Sequence, residues 1–154
     1  HKLIDWDFSI PEGGHRPLTL IFAKEKTEAS VKEALFERRT VVFYKNLLIG
    51  RDEYLVPLLN ASLVVKSAKY MGKTDVLQLV LWNKTNEDLT LQNRSAYTFY
   101  NNNDLVTVKP GEENILEVKT KERLKSVSLA FEVLNSVNAP GKHPVMNLEA
   151  EVTE

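Results

Sequence analysis

The chain has 154 residues, 43% of them hydrophobic, with 20 Lys and Arg against 21 Asp and Glu for a net charge of −1. A globule of this length buries roughly 68–70% of its unfolded surface, enough core for one domain or one and a half. The balanced charge, without a long single-sign run, argues against a nucleic-acid face; the lack of cysteine argues against a disulfide-stapled framework; no stretch reaches the ~20 apolar residues that span a bilayer.

The first residues, His1 to Asp7, carry a potential metal ligand followed by two acids. In an extended segment His1, Asp5 and Asp7 fall on one side with Leu3, and an imidazole with two carboxylates suits Zn, Mn or Fe. A tag remnant followed by a turn or cap aspartate accounts for the same residues. Only His15 and His143 follow as further histidines, so a complete nitrogen- or sulfur-rich centre cannot be assembled. Gly13, Gly14, His15, Arg16 and Pro17 offer backbone donors, an imidazole and a guanidinium before a strand, a set able to hold a phosphate or carboxylate. The phosphate-loop spacing is missing, and a glycine turn explains the segment equally well.

Residues 18–23 read as a buried strand. Thr27 is a good N-cap for a helix over 28–38, with Val31, Ala34 and Leu35 on one face and Arg38 and Arg39 closing the last turn against the helix dipole. Val41 to Tyr44 follows as a β-branched and aromatic strand, completing a strand, helix, strand unit. Asp52 can cap a short amphipathic helix through Leu59, with Pro57 better suited to its first turn than its middle.

From about Ala61 the period changes to two. Leu77, Leu79 and Leu81 alternate with Gln78, Val80 and Trp82; Val127, Leu129, Phe131 and Val133 alternate with Ser128, Ala130 and Glu132; Leu148, Ala150 and Val152 alternate with Glu149 and Glu151. Turn residues separate about seven or eight such strands, the density of an immunoglobulin-like sandwich, without its Cys, Trp, Cys signature. The expected fold class is therefore mainly β (α+β overall): an antiparallel immunoglobulin-like sandwich over 61–154, preceded by a small α/β segment over 1–60.

Arg38, Arg39, Lys45 and Arg51 cluster around the second strand, most simply as a solvated helix end and strand edge. Trp82, Tyr97, Phe99 and Tyr100 could present an aromatic platform to a sugar, or fill cross-strand pairs and the core. The Asn60, Asn83 and Asn93 triplets match the glycosylation acceptor pattern, but in an Asn-rich chain such matches are expected by chance. No Gly-x-Ser-x-Gly elbow, cysteine or histidine pair at helical spacing supplies a nucleophile arrangement.

Taken together, His1 to Asp7, the turn Pro11 to Pro17, Leu18 to Lys26 and the unit Ala29 to Thr40 resemble the end of a bacterial phosphoesterase of the PHP (polymerase and histidinol phosphatase) superfamily. The resemblance covers roughly residues 1–55. It implies a metal cluster at the strand ends of a distorted barrel, whose last ligand motif is Asp-x-His. His1 matches that histidine, and the aspartate would lie upstream. Beyond about residue 60, the stretch Phe131 to Asn135 and the Ala139-Pro140-Gly141 turn resemble the sandwich that follows the barrel in some secreted bacterial proteins of this kind.

The resemblance implies a non-catalytic accessory region whose partner is the barrel of the same longer chain. It further implies His1 as a metal ligand, His15 and Arg16 as substrate-side groups, and divalent Zn, Mn or Fe in the parent, with no cofactor in the fragment. It implies a periplasmic or secreted setting in a bacterium, with the signal upstream of His1 if the parent is exported; the charge balance and the lack of a long apolar run lead to an expectation of neither nucleic acid nor membrane as partner. The alternative is a sandwich that recognises a glycan or a protein.

Overall fold

The structure is a computed structural model that describes residues 17–153. Strand β1 (Leu18–Ile21) pairs antiparallel with β2 (Thr40–Tyr44), Leu18 opposite Phe43 and Ile21 opposite Thr40. Between them helix α1 (Glu28–Phe36) starts where expected, because extended Thr27 accepts a hydrogen bond from the Ser30 amide at 3.2 Å. It ends two residues early. Arg38 takes a left-handed conformation (φ 57°), its amide donates to Leu35 O at 3.1 Å, and the Arg39 amide donates to Ala34 O at 2.8 Å. This is a Schellman termination with arginine where glycine is usual. Arg38 and Arg39 therefore lie beyond the last turn, not within it.

A strand not anticipated from sequence follows. Lys45 (φ 47°) and Asn46 (φ 57°) form a two-residue turn with both central residues left-handed, which sends the chain back as β3 (Leu47–Gly50) against β2. Four residues are too few for a periodic signal, and Lys-Asn is not the usual Asn-Gly turn pair. Helix α2 (Asp52–Ser62) is longer than expected. Its N-cap is Arg51, Asp52 is the first helical residue, and Pro57 sits inside the second turn. Leu55 and Leu59 are fully buried, so tertiary packing outweighs the cost of the proline.

The rest is β. The strands β4 (Leu63–Tyr70), β5 (Val76–Asn83), β6 (Leu89–Asn93), β7 (Thr98–Phe99), β8 (Leu105–Val108), β9 (Glu113–Lys119), β10 (Ser126–Val133) and β12 (Val145–Glu151) form two four-stranded antiparallel sheets, ordered β4-β5-β9-β7 and β12-β10-β6-β8. The expected sandwich is present. Leu77, Leu79 and Leu81 of one sheet and Val127, Leu129, Phe131 and Val133 of the other are buried between them, and Phe99 meets Phe131 across the core at 6.2 Å between ring centroids. Strand β11 (Ser136–Val137) leaves the sandwich and runs parallel to β3, making a third sheet ordered β1-β2-β3-β11.

Two turns in the sandwich share one plan, differing in the second acceptor of the asparagine amide. Asn83 Oδ1 accepts from the Thr85 amide (2.9 Å) and hydroxyl (2.7 Å) while its Nδ2 donates to Glu87 O and Val108 O. Asn93 Oδ1 accepts from the Ser95 amide and hydroxyl while its Nδ2 donates to Tyr97 O and Asp104 Oδ1. The Asn-x-Ser/Thr triplets at 83 and 93 are turn staples, and Asn83, 1% exposed, is closed to any modifying enzyme in the folded chain.

Candidate functional site

His1, Asp5, Asp7, His15 and Arg16 lie outside the described residues. His143 is the one histidine inside them, and its Nδ1 sits 2.7 Å from Ser136 O. Among the described residues no group of three or more His, Cys, Asp or Glu side chains could hold a metal ion.

The side chains that the fold does bring together lie at the junction of the small sheet and the sandwich. Asn135, in the link between β10 and β11, donates from Nδ2 to Asp88 O (2.8 Å), Asn46 Oδ1 (3.0 Å) and Asn46 O (3.2 Å), while its Oδ1 accepts from the Thr90 amide at 3.0 Å. Its backbone carbonyl accepts from the Leu48 amide at 3.1 Å. One residue thereby ties the β2–β3 turn to the loop before β6. Beside it Leu20, Phe43, Leu48, Leu58 and Leu89 wall a cavity of about 170 Å³. A volume of that size admits an apolar side chain and falls below the range of small-molecule sites.

A second cleft, of about 570 Å³, opens at the far end of the sandwich, where Lys69, Arg123 and Lys125 contribute to the lining. Arg123 is already engaged: its guanidinium lies 5.0 Å from the Tyr70 ring centroid and donates to Thr74 O (3.2 Å) and Gly72 O. The Tyr70 hydroxyl in turn accepts from the Leu124 amide at 2.7 Å and lies 3.1 Å from Thr120 Oγ1. The arrangement fastens the 120–125 loop to the β4–β5 turn.

The aromatic residues singled out from sequence do not form one open face. Phe99 is buried, Tyr97 packs against the core, and Trp82 is capped by Lys66 Nζ at 3.8 Å from the ring centroid. Tyr100 alone is largely open, at 55% exposure. Arg39 and Arg51, two of the basic residues of the first third, are both engaged at the end of α1. Arg39 is buried to 9% exposure and pairs with Glu33 at 2.9 Å, its Nε 3.2 Å from Glu37 Oε2 but off the line of a hydrogen bond. Arg51 donates to the carbonyls of Glu37 and Arg38 at 3.1 and 3.0 Å and so holds the end of α1 against the start of α2. Glu33 also receives Lys24 Nζ at 3.1 Å, and this hydrogen bond and charge, with the Arg39 charge behind them, hold its carboxyl below the ordinary value.

The family described as an Ig-like domain, DUF5001, matches residues 63–149. No curated protein matches the chain. Among solved structures, the chain is similar to a two-domain protein from Bacteroides vulgatus ATCC 8482 described as containing a predicted PHP-like metal-dependent phosphoesterase. The two are 27% identical with a TM-score of 0.79, and the match covers 95% of this chain and 42% of that one. The chain thus spans less than half the length of that relative, and the match takes in the small sheet as well as the sandwich.

Proposed function

We propose that this chain, which belongs to the DUF5001 family of Ig-like domains, is a non-catalytic accessory region of a PHP-type metal-dependent phosphoesterase. The observation that carries this reading is the extent of the structural match, 95% of this chain against 42% of the two-domain relative. The sandwich acts as a brace. Through Asn135 and the β11–β3 pairing it fixes the strand, helix, strand unit that the sequence resemblance assigns to the end of the phosphoesterase domain.

In the longer protein His1 serves as one metal ligand and His15 and Arg16 face the substrate, roles that rest on the resemblance alone. A divalent Zn, Mn or Fe cluster would supply activated water for phosphoester hydrolysis there. The barrel is the partner, and the setting is periplasmic or secreted in a bacterium. The described residues offer no ligand group for such a cluster, so no step of the reaction is assigned to them. Assays of the 154-residue chain with p-nitrophenyl phosphate and its bis ester, with Zn, Mn or Fe added, test the proposal. Hydrolysis at the background rate is expected; metal-dependent turnover by this chain would overturn the accessory reading.

A further inference from the structure

The small sheet has two faces of opposite fate. Leu20, Val41, Leu48, Gly50 and Ser136 point toward α2 and the sandwich, and Val41 and Ser136 are wholly buried. On the other face the register lines up Thr19, Val42, Ile49 and Val137 in one row across all four strands, with Ile21 opposite Thr40 and Tyr44 opposite Leu47 on either side of it. No position in these three rows is charged. Ile21, Val42 and Ile49 are nevertheless 38%, 38% and 42% exposed. The outward face of β10 and β12 differs in carrying charge: Ser128, Ala130 and Glu132 on one strand, Val145, Asn147, Glu149 and Glu151 on the other. An uncharged, β-branched row left open beside it marks an interaction surface.

Strand β1 adds to it. It stands at the end of the sheet order, paired among the described strands only with β2; Leu18 at its start, though 47% exposed, belongs to the inward row of Phe43, Leu48 and Ser136, so the outward side chains of this strand are Thr19 and Ile21. An apolar edge strand without charge or proline within it presents backbone groups for further pairing. We infer that this outer face, with the edge of β1 that no described strand pairs with, is the seat of the rest of the phosphoesterase domain in the longer protein. The inference rests on the accessory reading above and names the surface that serves it. The occupant follows from the solved relative, in which more than half of the chain lies outside the match. That part of the relative exceeds this whole chain in length, ample to cover a four-stranded face.

Hydrogen exchange of the 154-residue chain, alone and with the unmatched part of the Bacteroides vulgatus protein added as a separate polypeptide, tests it. Slowed exchange over 18–21 and 40–50 is expected. Val42→Asp and Ile49→Asp, introduced singly because the two residues face each other across β2 and β3 and paired aspartates there would themselves cost stability, should each leave the chain folded, with its thermal midpoint as the control, and lower affinity for the added polypeptide by about tenfold or more. Protection confined to the sandwich, for example over 76–83 and 113–119, overturns this surface and leaves the accessory reading standing. No protection anywhere overturns both. Concentration-dependent self-association that Val42→Asp and Ile49→Asp abolish, without protection by the added polypeptide, would assign the face to a second copy instead and overturn the inference.

Discussion

Asn135 and Asn46 are 89 residues apart in sequence and joined by two contacts from one amide, Nδ2 to Oδ1 at 3.0 Å and Nδ2 to the carbonyl at 3.2 Å. Asn46 is held at φ 57° in the β2–β3 turn, a conformation that asparagine tolerates better than most residues. The pair therefore fixes both the turn and its place against the sandwich. Asn135→Ala removes the donor and the acceptor that serves the Thr90 amide, leaving half-buried groups without partners. The expected loss is about 2–3 kcal/mol, a fall of roughly 5–10 °C in the unfolding midpoint. Amide exchange at Leu48 and Thr90 should accelerate ahead of the sandwich core. A loss under about 0.5 kcal/mol would show that the amide is dispensable.

Asn83 is fully used, with both amide hydrogens donated and the carbonyl accepting twice. At 1% exposure water cannot replace those partners. Asn83→Ala should cost about 2–4 kcal/mol by chemical denaturation, and Asn83→Asp nearly as much, because it brings a buried charge and loses the two donors. Combining Asn83→Ala with Thr85→Val should cost clearly less than the two losses added together, since they share the same bonds. Strict additivity would refute the staple.

How much of this was legible depends on the period each residue obeys. The sandwich strands announced themselves because Leu77, Leu79, Leu81 and Val127, Leu129, Phe131, Val133 alternate over enough residues to average out chance, and all are buried. Thr27 was equally readable as a cap, since the capping bond is local. Strands β3 and β11 were not. Each is short, and each is fixed by a partner that the turn at Lys45 and Asn46 or the long-range bond of Asn135 supplies. The Asn-x-Ser/Thr triplets at 83 and 93 carry a usable signal of another kind, since followed by turn residues they read as Asx turns, whereas Asn60 lies inside α2. Of the candidate site, His1, His15 and Arg16 lie outside the described residues, and the aromatic set dissolves because Phe99 and Tyr100 alternate across one strand end.

Ser136 in β11 is 0% exposed, and its hydroxyl has no hydrogen-bond partner among the described residues. A buried hydroxyl in that state costs stability, whereas a methyl group of nearly the same shape carries no such penalty. Ser136→Ala should leave the midpoint unchanged or raise it, by up to about 1–2 kcal/mol in stability. Ser136→Val tests the space: it adds volume against a fully buried site and should destabilise by about 1–3 kcal/mol. A clear loss from Ser136→Ala would mean that the hydroxyl is bonded in solution, and a buried water would be the partner to look for.

Glu33 gives the first third of the chain a pH dependence whose sign is fixed by geometry. The Lys24 hydrogen bond and charge, with Arg39 at 2.9 Å, lower its carboxyl pKa in the folded state below the ordinary 4.5. A folded value below the unfolded one means that folding favours the ionised form. Its contribution is therefore complete above the ordinary glutamate range and is lost as pH falls through the folded value. The unfolding midpoint of the natural chain should exceed that of Glu33→Gln near neutral pH, and the gap should close on acidification below the ordinary range. Lys24→Met should move the Glu33 titration, followed by carboxyl carbon chemical shift, back toward 4.5. Because Glu33 is open to solvent, added salt should narrow the gap at neutral pH. A gap that persists unchanged in acid would place the effect of Glu33→Gln in packing rather than in charge, and the ionic account of the α1 terminus would fail.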